Sequence, residues 1–211
     1  YHIGDYSSRK NISSLIRCYF EEFSKADHCV LVLKSYVEGF NPQQSMEFIK
    51  QEIANIKQGL RKSFVDTYPP IVILTDYYPN EVMMAIHAQC HCFVTLEKGS
   101  GYTLPLRDAI AMGNWGIASA WGGQTEFCDA SNSFLLDYEM ETVSGMIRCP
   151  FPSIYTCHEE WSNPSMKQCK QYMRFCYTNR VIQSEDTRKK FLQSNSLEAG
   201  GAKIKEALSG I

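Results

Sequence analysis

The sequence has no excess of charge of either sign. Its 21 Lys and Arg against 23 Asp and Glu leave a formal net charge of -2 over 211 residues. A global basic footprint for nucleic acid is therefore absent, and any anion site must be local. No apolar run is long enough to cross a bilayer, and no n-region and h-region pair marks a signal peptide. Internal repeats and low-complexity tracts are missing too. So is a disulfide framework: the nine cysteines are odd in number, and most lie inside apolar stretches of a chain large enough to build a core without staples. They read as buried free thiols in a reducing compartment, and a cytoplasmic protein is expected. The nearest approach to a metal cluster is His87, Cys90, His91 and Cys92. No second ligand pair follows it, and neighbouring strand residues face opposite sides, so no metal site is expected.

What remains is the balance of an ordinary globular domain, 44% hydrophobic and 21% charged. The apolar spacing from Asn11 to Phe23 predicts a helix with one buried stripe, and Asn41-Pro42 opens another, with Met46, Ile49, Ile53, Ile56 and Leu60 on its inner face. Continuous apolar runs at Cys29–Leu33, Ile71–Leu74, Cys92–Leu96 and Trp115–Ser119 predict strands covered on both faces. Tyr1–Gly4 looks like the end of a strand cut by the chain start. Asn80 is expected to cap a helix from Glu81 to Gln89. Strands alternating with helices argue for an α/β fold, a Rossmann-like parallel sheet flanked by helices, over residues 1–180. Phe151 to Pro164 reads as irregular, and Ser165 to Tyr177 as a helix. Residues 181–211 are expected to form a helical C-terminal tail, broken at Gly200-Gly201.

In such folds ligands bind beyond the carboxyl ends of the strands, which draws attention to three loops. Glu97 to Thr103 carries Gly99-Ser100-Gly101 and leads into a helix starting at Leu104. Its glycines and free helix-start amides suit a phosphate, although a plain tight turn explains the pattern equally well. Trp121-Gly122-Gly123-Gln124-Thr125-Glu126-Phe127 offers further approachable amides and a carboxylate, or else a simple helix cap. Arg9 and Lys10 precede a helix, where the macrodipole disfavours cations; an anionic ligand would account for them, as would a solvated surface pair.

Taken together, these loops carry a resemblance. Gly101-Tyr102-Thr103-Leu104-Pro105-Leu106-Arg107-Asp108-Ala109 is similar to the signature of the C-terminal donor-binding domain of GT-B retaining glycosyltransferases, the glycosyl transferases group 1 family. Gly122-Gly123-Gln124-Thr125-Glu126 resembles the element that follows it there. Arg9-Lys10-Asn11 resembles the basic motif opening that domain, and Trp161-Ser162-Asn163-Pro164 a later Trp-Ala-Glu-Pro element. The resemblance implies a GT-B C-terminal domain that binds a UDP-, GDP- or ADP-linked sugar, with the acceptor held by an N-terminal domain missing from this chain. It implies Lys10 as the catalytic cation, helped by Arg9, against the diphosphate. Ser100, Gly101, Tyr102, Thr103 and Leu104 would line the donor, Asp108 would hold ribose, and Glu126 would touch hydroxyls. No cofactor is implied.

The departures matter as well. The two glutamates of the family signature fall on Ser100 and Asp108, and the arginine common after the first strand falls on Asp5. Ser100 supplies no charge near a developing oxocarbenium ion, and Glu97 would need a rebuilt loop to take its place. These losses keep a second reading open, a non-catalytic GT-B-like nucleotide-binding or interaction module. A third is a Rossmann-like nucleotide binder unrelated to sugars.

Overall fold

The computed structural model describes residues 1–60, 67–146, 155–156 and 158–209. Cys149, Cys157 and residues 151–154 of the expected irregular stretch lie outside the described residues. Strands β1 (His2–Asp5), β2 (Leu31–Tyr36) and β3 (Ile71–Leu74) pair in parallel, as do β4 (Cys92–Val94), β5 (Trp115–Ser119) and β6 (Ser133–Leu136). Tyr1 joins the two triplets: its α-amino group donates to Cys92 O at 2.8 Å, and its carbonyl accepts from Val94 N at 2.9 Å. The spatial order is therefore β3-β2-β1-β4-β5-β6. The winding reverses between β1 and β4, which is where open α/β sheets leave a crevice.

Helices cover both faces. On one, α1 (Ile12–Glu22), α2 (Pro42–Leu60) and α5 (Met166–Asn179) build a core of Leu15, Ile16, Phe20, Leu33, Ile49 and Ile117. The stripe Ile12, Leu15, Ile16, Tyr19 and Phe20 follows helical spacing and is wholly buried. On the other face, α4 (Leu104–Ala111) supplies Leu106 and Ile110 against Phe93 and Ala118, with α3 (Asn80–Gln89) alongside. Helix α6 (Glu185–Ser194) inserts Phe191 into that second core, while α7 (Leu197–Ser209) buries none of its residues. Arg174 ties α5 to the end of α1, with Nε 2.7 Å from Glu22 Oε1, NH1 2.5 Å from Asp27 Oδ1, and the guanidinium over the Phe23 ring.

The structure departs from the sequence expectations in several places. Strand β2 runs two to three residues later than the apolar run, because Ser35 and Lys34 pair with Gly4 and Ile3 of β1. Strand β6 and the antiparallel ribbon β7 (Tyr138–Thr142) and β8 (Glu160–Pro164) were not anticipated. The N-cap of α3 is Pro79 rather than Asn80. Helix α7 continues through Gly200-Gly201, so the expected break is absent. Among the described residues no helix is long and apolar enough to cross a membrane.

Candidate functional site

The carboxyl ends of β1 and β4 carry the loops with the unusual residues, and the two loops are bonded to each other. Lys98 N donates to Arg9 O at 2.9 Å, and Arg9 NH1 donates to Gly99 O at 2.8 Å. Arg9 NH2 also lies 3.7 Å from Asp5 Oδ1. Lys10 Nζ sits 2.8 Å from Glu97 Oε1, with the two side chains only 12% and 1% exposed. Beyond Lys10, Glu97 Oε1 has no hydrogen-bond partner. The solvated-pair reading fails for Lys10, which is folded inward against Glu97, while Arg9 stays about a third exposed beside Asp5.

Thr103 stands at the start of α4 with φ 39 and ψ 59, a left-handed conformation that a β-branched residue rarely adopts. Its surroundings hold it there. Thr103 N donates to Ser100 Oγ at 3.2 Å, and its carbonyl accepts from Leu106 N and Arg107 N. The hydroxyl donates to Gln124 Oε1 at 3.1 Å and lies 3.4 Å from Glu97 Oε2; one proton serves two acceptors. Gln124, fully buried, returns its amide to Ser119 O at 3.1 Å. Pro105 has no amide to offer, and Leu104 is exposed at the helix start.

The second glycine loop serves packing. A β-carbon on Gly123 would lie 1.7 Å from Gly101 O, and one on Gly122 would lie 2.8 Å from Ser100 O. Gly123 N already donates to Ser100 O at 3.3 Å. The expected set of approachable amides is therefore reduced, since this loop is laid backbone to backbone against the first. Tyr102 leans on Phe127, their ring centroids 5.1 Å apart.

Below the loops, His2 fills the β1/β4 seam. Its Nδ1 donates to Val94 O at 2.9 Å, an oxygen that the next rung of a parallel ladder would engage with a backbone amide. The imidazole is completely buried, and its Nε2 has no partner. Gly4 makes room for it, since a β-carbon there would meet Nε2 at 2.9 Å. Burial pulls the His2 pKa down to about 4, against the attraction of Glu97; Lys10 also lowers it. The ring is neutral at physiological pH, with an unused lone pair.

Lys10, Arg9, Ser100, Gly101 and Thr103 thus come together at the switch point. Asp108 lies apart, in the second turn of α4 rather than the first, half-buried, with its charge felt by Tyr1 and His87. Glu126 is exposed at the end of a short 3-10 helix, Gly123–Glu126, and its neighbour Gln124 is the residue turned inward. Sequence reasoning missed His2 and Gln124 altogether. The ribbon β7–β8 closes the flank: Lys98 pairs with Glu141, Trp161 Nε1 donates to Glu141 Oε1 at 2.9 Å, and Lys98 Nζ lies over the Trp161 ring. Among the described residues no group of three or more His, Cys, Asp or Glu is placed to hold a metal ion.

Parallel strands wound in this order, with helices on both faces and a reversal between β1 and β4, define a Rossmann-like domain. The comparison with solved structures narrows the fold. The chain superposes over 100% of its length on 49% of the Anabaena HepE protein in complex with UDP, with a TM-score of 0.59 and 14% identity. It matches the C-terminal domain of the glycosyl transferase group 1 family protein LpcC from Francisella tularensis (TM-score 0.59, 14% identity) over 92% of this chain and 83% of that one. It also matches α,α-trehalose 6-phosphate synthase from Burkholderia multivorans, with a TM-score of 0.61 and 13% identity, over 99% of this chain and 42% of that one. The fold is that of the C-terminal domain of GT-B glycosyltransferases, and the chain spans about half the length of the HepE protein. No family model matches the sequence, and no curated protein matches it.

Proposed function

We propose that the chain is the donor-binding part of a glycosyltransferase that moves a sugar from a nucleotide sugar to an acceptor with retention. The observation that supports it best is the meeting of the Arg9-Lys10 loop, the Gly99–Thr103 loop and the start of α4 at the β1/β4 reversal. Structural neighbours there include one crystallised with UDP-glucose. In this reading Lys10 turns to the diphosphate as the leaving group gains charge, and Arg9 supports it. The Leu104 amide and the Ser100–Thr103 backbone border the same phosphates. Asp108 accepts from ribose hydroxyls, and Glu126 from hydroxyls on the sugar side. These side chains and amides take the part a metal plays elsewhere. The acceptor is held by an N-terminal domain, which brings the two reactants together.

Ser100 supports the second reading, a nucleotide-binding module without transfer activity. Its hydroxyl pins the loop by accepting from Thr103 N, and no carboxylate stands at that point of the signature. Turnover of a nucleotide sugar by a two-domain protein separates the two readings.

Titration calorimetry with UDP-, GDP- and ADP-sugars tests donor binding, provided that stability is controlled. Removing Lys10 alone leaves the buried Glu97 carboxylate without its cation, so Lys10→Ala is expected to lower stability by about 2 kcal/mol as well as to weaken binding. The double variant Lys10→Met, Glu97→Gln removes both charges together. It is expected to melt close to the parent and still to lose about 1.5–3 kcal/mol of nucleotide affinity. Asp108→Ala is expected to lower affinity for a ribonucleotide and to change little for its 2′,3′-dideoxy analogue. Parent-like binding by both variants means that the site lies on other loops.

A further inference from the structure

The Lys10–Glu97 pair is the most buried ion pair among the described residues, and it stands where the diphosphate is placed. The cations of this loop are therefore already matched within the chain: Arg9 faces Asp5 and Lys10 faces Glu97. Among the described residues of these two loops, a ligand bringing further negative charge meets no cation that does not already face a carboxylate. It must draw Lys10 away, and doing so leaves a carboxylate that is 1% exposed with no counter-charge, a costly state in a low-dielectric surround.

The remaining groups around Glu97 do not supply a replacement. From β1 comes His2, completely buried, with no partner at Nε2. From the start of α4 comes the Thr103 hydroxyl, shared with Gln124 and 3.4 Å away. Gln124 carries no charge. Among the described residues, His2 and Lys10 are the ionisable groups set against this carboxylate from β1 and from the loop before α1. Apart from Lys10, Glu97 Oε1 has no partner, so it is open to a proton once Lys10 is drawn away.

We propose that Glu97 is a built-in counter-ion that the diphosphate of a nucleotide sugar displaces from Lys10, and that the displaced carboxylate takes one proton from solvent, so that donor binding consumes a proton. The inference rests on the donor-binding reading and adds a regulation to it: affinity for the donor rises as pH falls. Lys10 gains freedom to follow the leaving group, and the buried carboxylate never stands unpaired.

Calorimetry on the 211-residue chain with UDP-glucose, GDP-mannose and ADP-glucose tests this at about pH 7.5, in buffers of different ionisation enthalpy. These diphosphate diesters do not titrate near neutrality, so any proton exchanged belongs to the protein. The expected slope of heat against buffer enthalpy is uptake of about one proton, with affinity rising up to about tenfold per pH unit as pH falls. Glu97→Gln is expected to bind about tenfold more tightly than the parent at about pH 7.5, with no uptake and a flat pH profile. Binding by the parent with no proton exchange overturns the counter-ion role and leaves donor binding standing. A Glu97→Gln variant that binds more weakly and still takes up a proton also overturns it. Absence of binding by all three donors removes both the donor reading and this inference. The buffer series uses the unaltered chain, so the result does not depend on the variant folding.

Discussion

Gly123→Ala is expected to lose more than about 4 kcal/mol of stability, an exceptional loss that follows here because backbone must move. The added methyl would sit 1.7 Å from Gly101 O and 3.1 Å from the Tyr102 Cα, and neither is the flexible end of a side chain. Relief requires the Gly122–Gly123 loop to lift from the Ser100–Tyr102 loop. That movement breaks the Gly123 N to Ser100 O bond and carries away Gln124, whose amide links Ser119 to Thr103. A chain of this size is expected to melt roughly 10 °C lower. Any donor affinity should fall with it, because Thr103 is held in its left-handed conformation by the same contacts. Gly200→Ala is the control. Gly200 lies in α7 with nothing within 4 Å of the added carbon, so alanine there should be neutral or stabilising by up to about 1 kcal/mol. Equal melting temperatures for Gly123→Ala and the parent would mean that the two loops are not in backbone contact.

The second large effect concerns acid. The folded protein keeps His2 neutral down to about pH 4, whereas an unfolded chain protonates it around its ordinary 6.5. Between those values the unfolded state binds more protons, so stability falls as pH falls. The contribution is whole above pH 6.5 and is lost on the way to pH 4. For a completely buried ring, the shift corresponds to about 3 kcal/mol. His2→Asn keeps a donor for Val94 O but has nothing to protonate. It should start less stable and lose less than the parent between neutral pH and pH 4.5, as measured by denaturant melts at each pH. Identical pH slopes in parent and variant would show that His2 is not the buried base. Asp27 acts in a separate window: bonds from Arg174 and Ser24 hold it near 2, so its contribution is lost only as pH drops from 3.8 toward 2.

Much of the sheet was legible because covered parallel strands must be apolar throughout. Trp115–Ser119, buried throughout, is read at its observed bounds; so is Ile71–Leu74, although β3 is an edge strand with Val72 44% exposed rather than a strand covered on both faces. Strand β2 slipped because hydrophobicity marks burial, while pairing decides strand extent; Val30 is half exposed and Ser35 wholly buried. The ribbon β7–β8 was hidden by its composition. Tyr-Glu-Met-Glu-Thr alternates weakly, and Glu-Trp-Ser-Asn-Pro ends in a proline that argues against a strand. At the site, the three loops were found through glycines and misplaced cations, which are local signals. Their internal wiring was not, because it depends on contacts between distant residues: Thr103 with Gln124, His2 with Val94, Lys10 with Glu97. Glu97 was noticed beside the signature, yet nothing in its neighbours along the chain tells that Lys10 stands over it.

The placement of β1 at the centre of the sheet governs how the domain comes off a ribosome. Tyr1 closes on Cys92, 91 residues downstream, so the first strand emerges early and keeps one edge open until β4 has been made. At about 5–20 residues per second, that edge waits several seconds. During the wait β1 can pair with β2, and β3 can add beyond it, so the half-sheet β3-β2-β1 is a natural early unit with one bare edge. Such an edge invites pairing with another nascent chain.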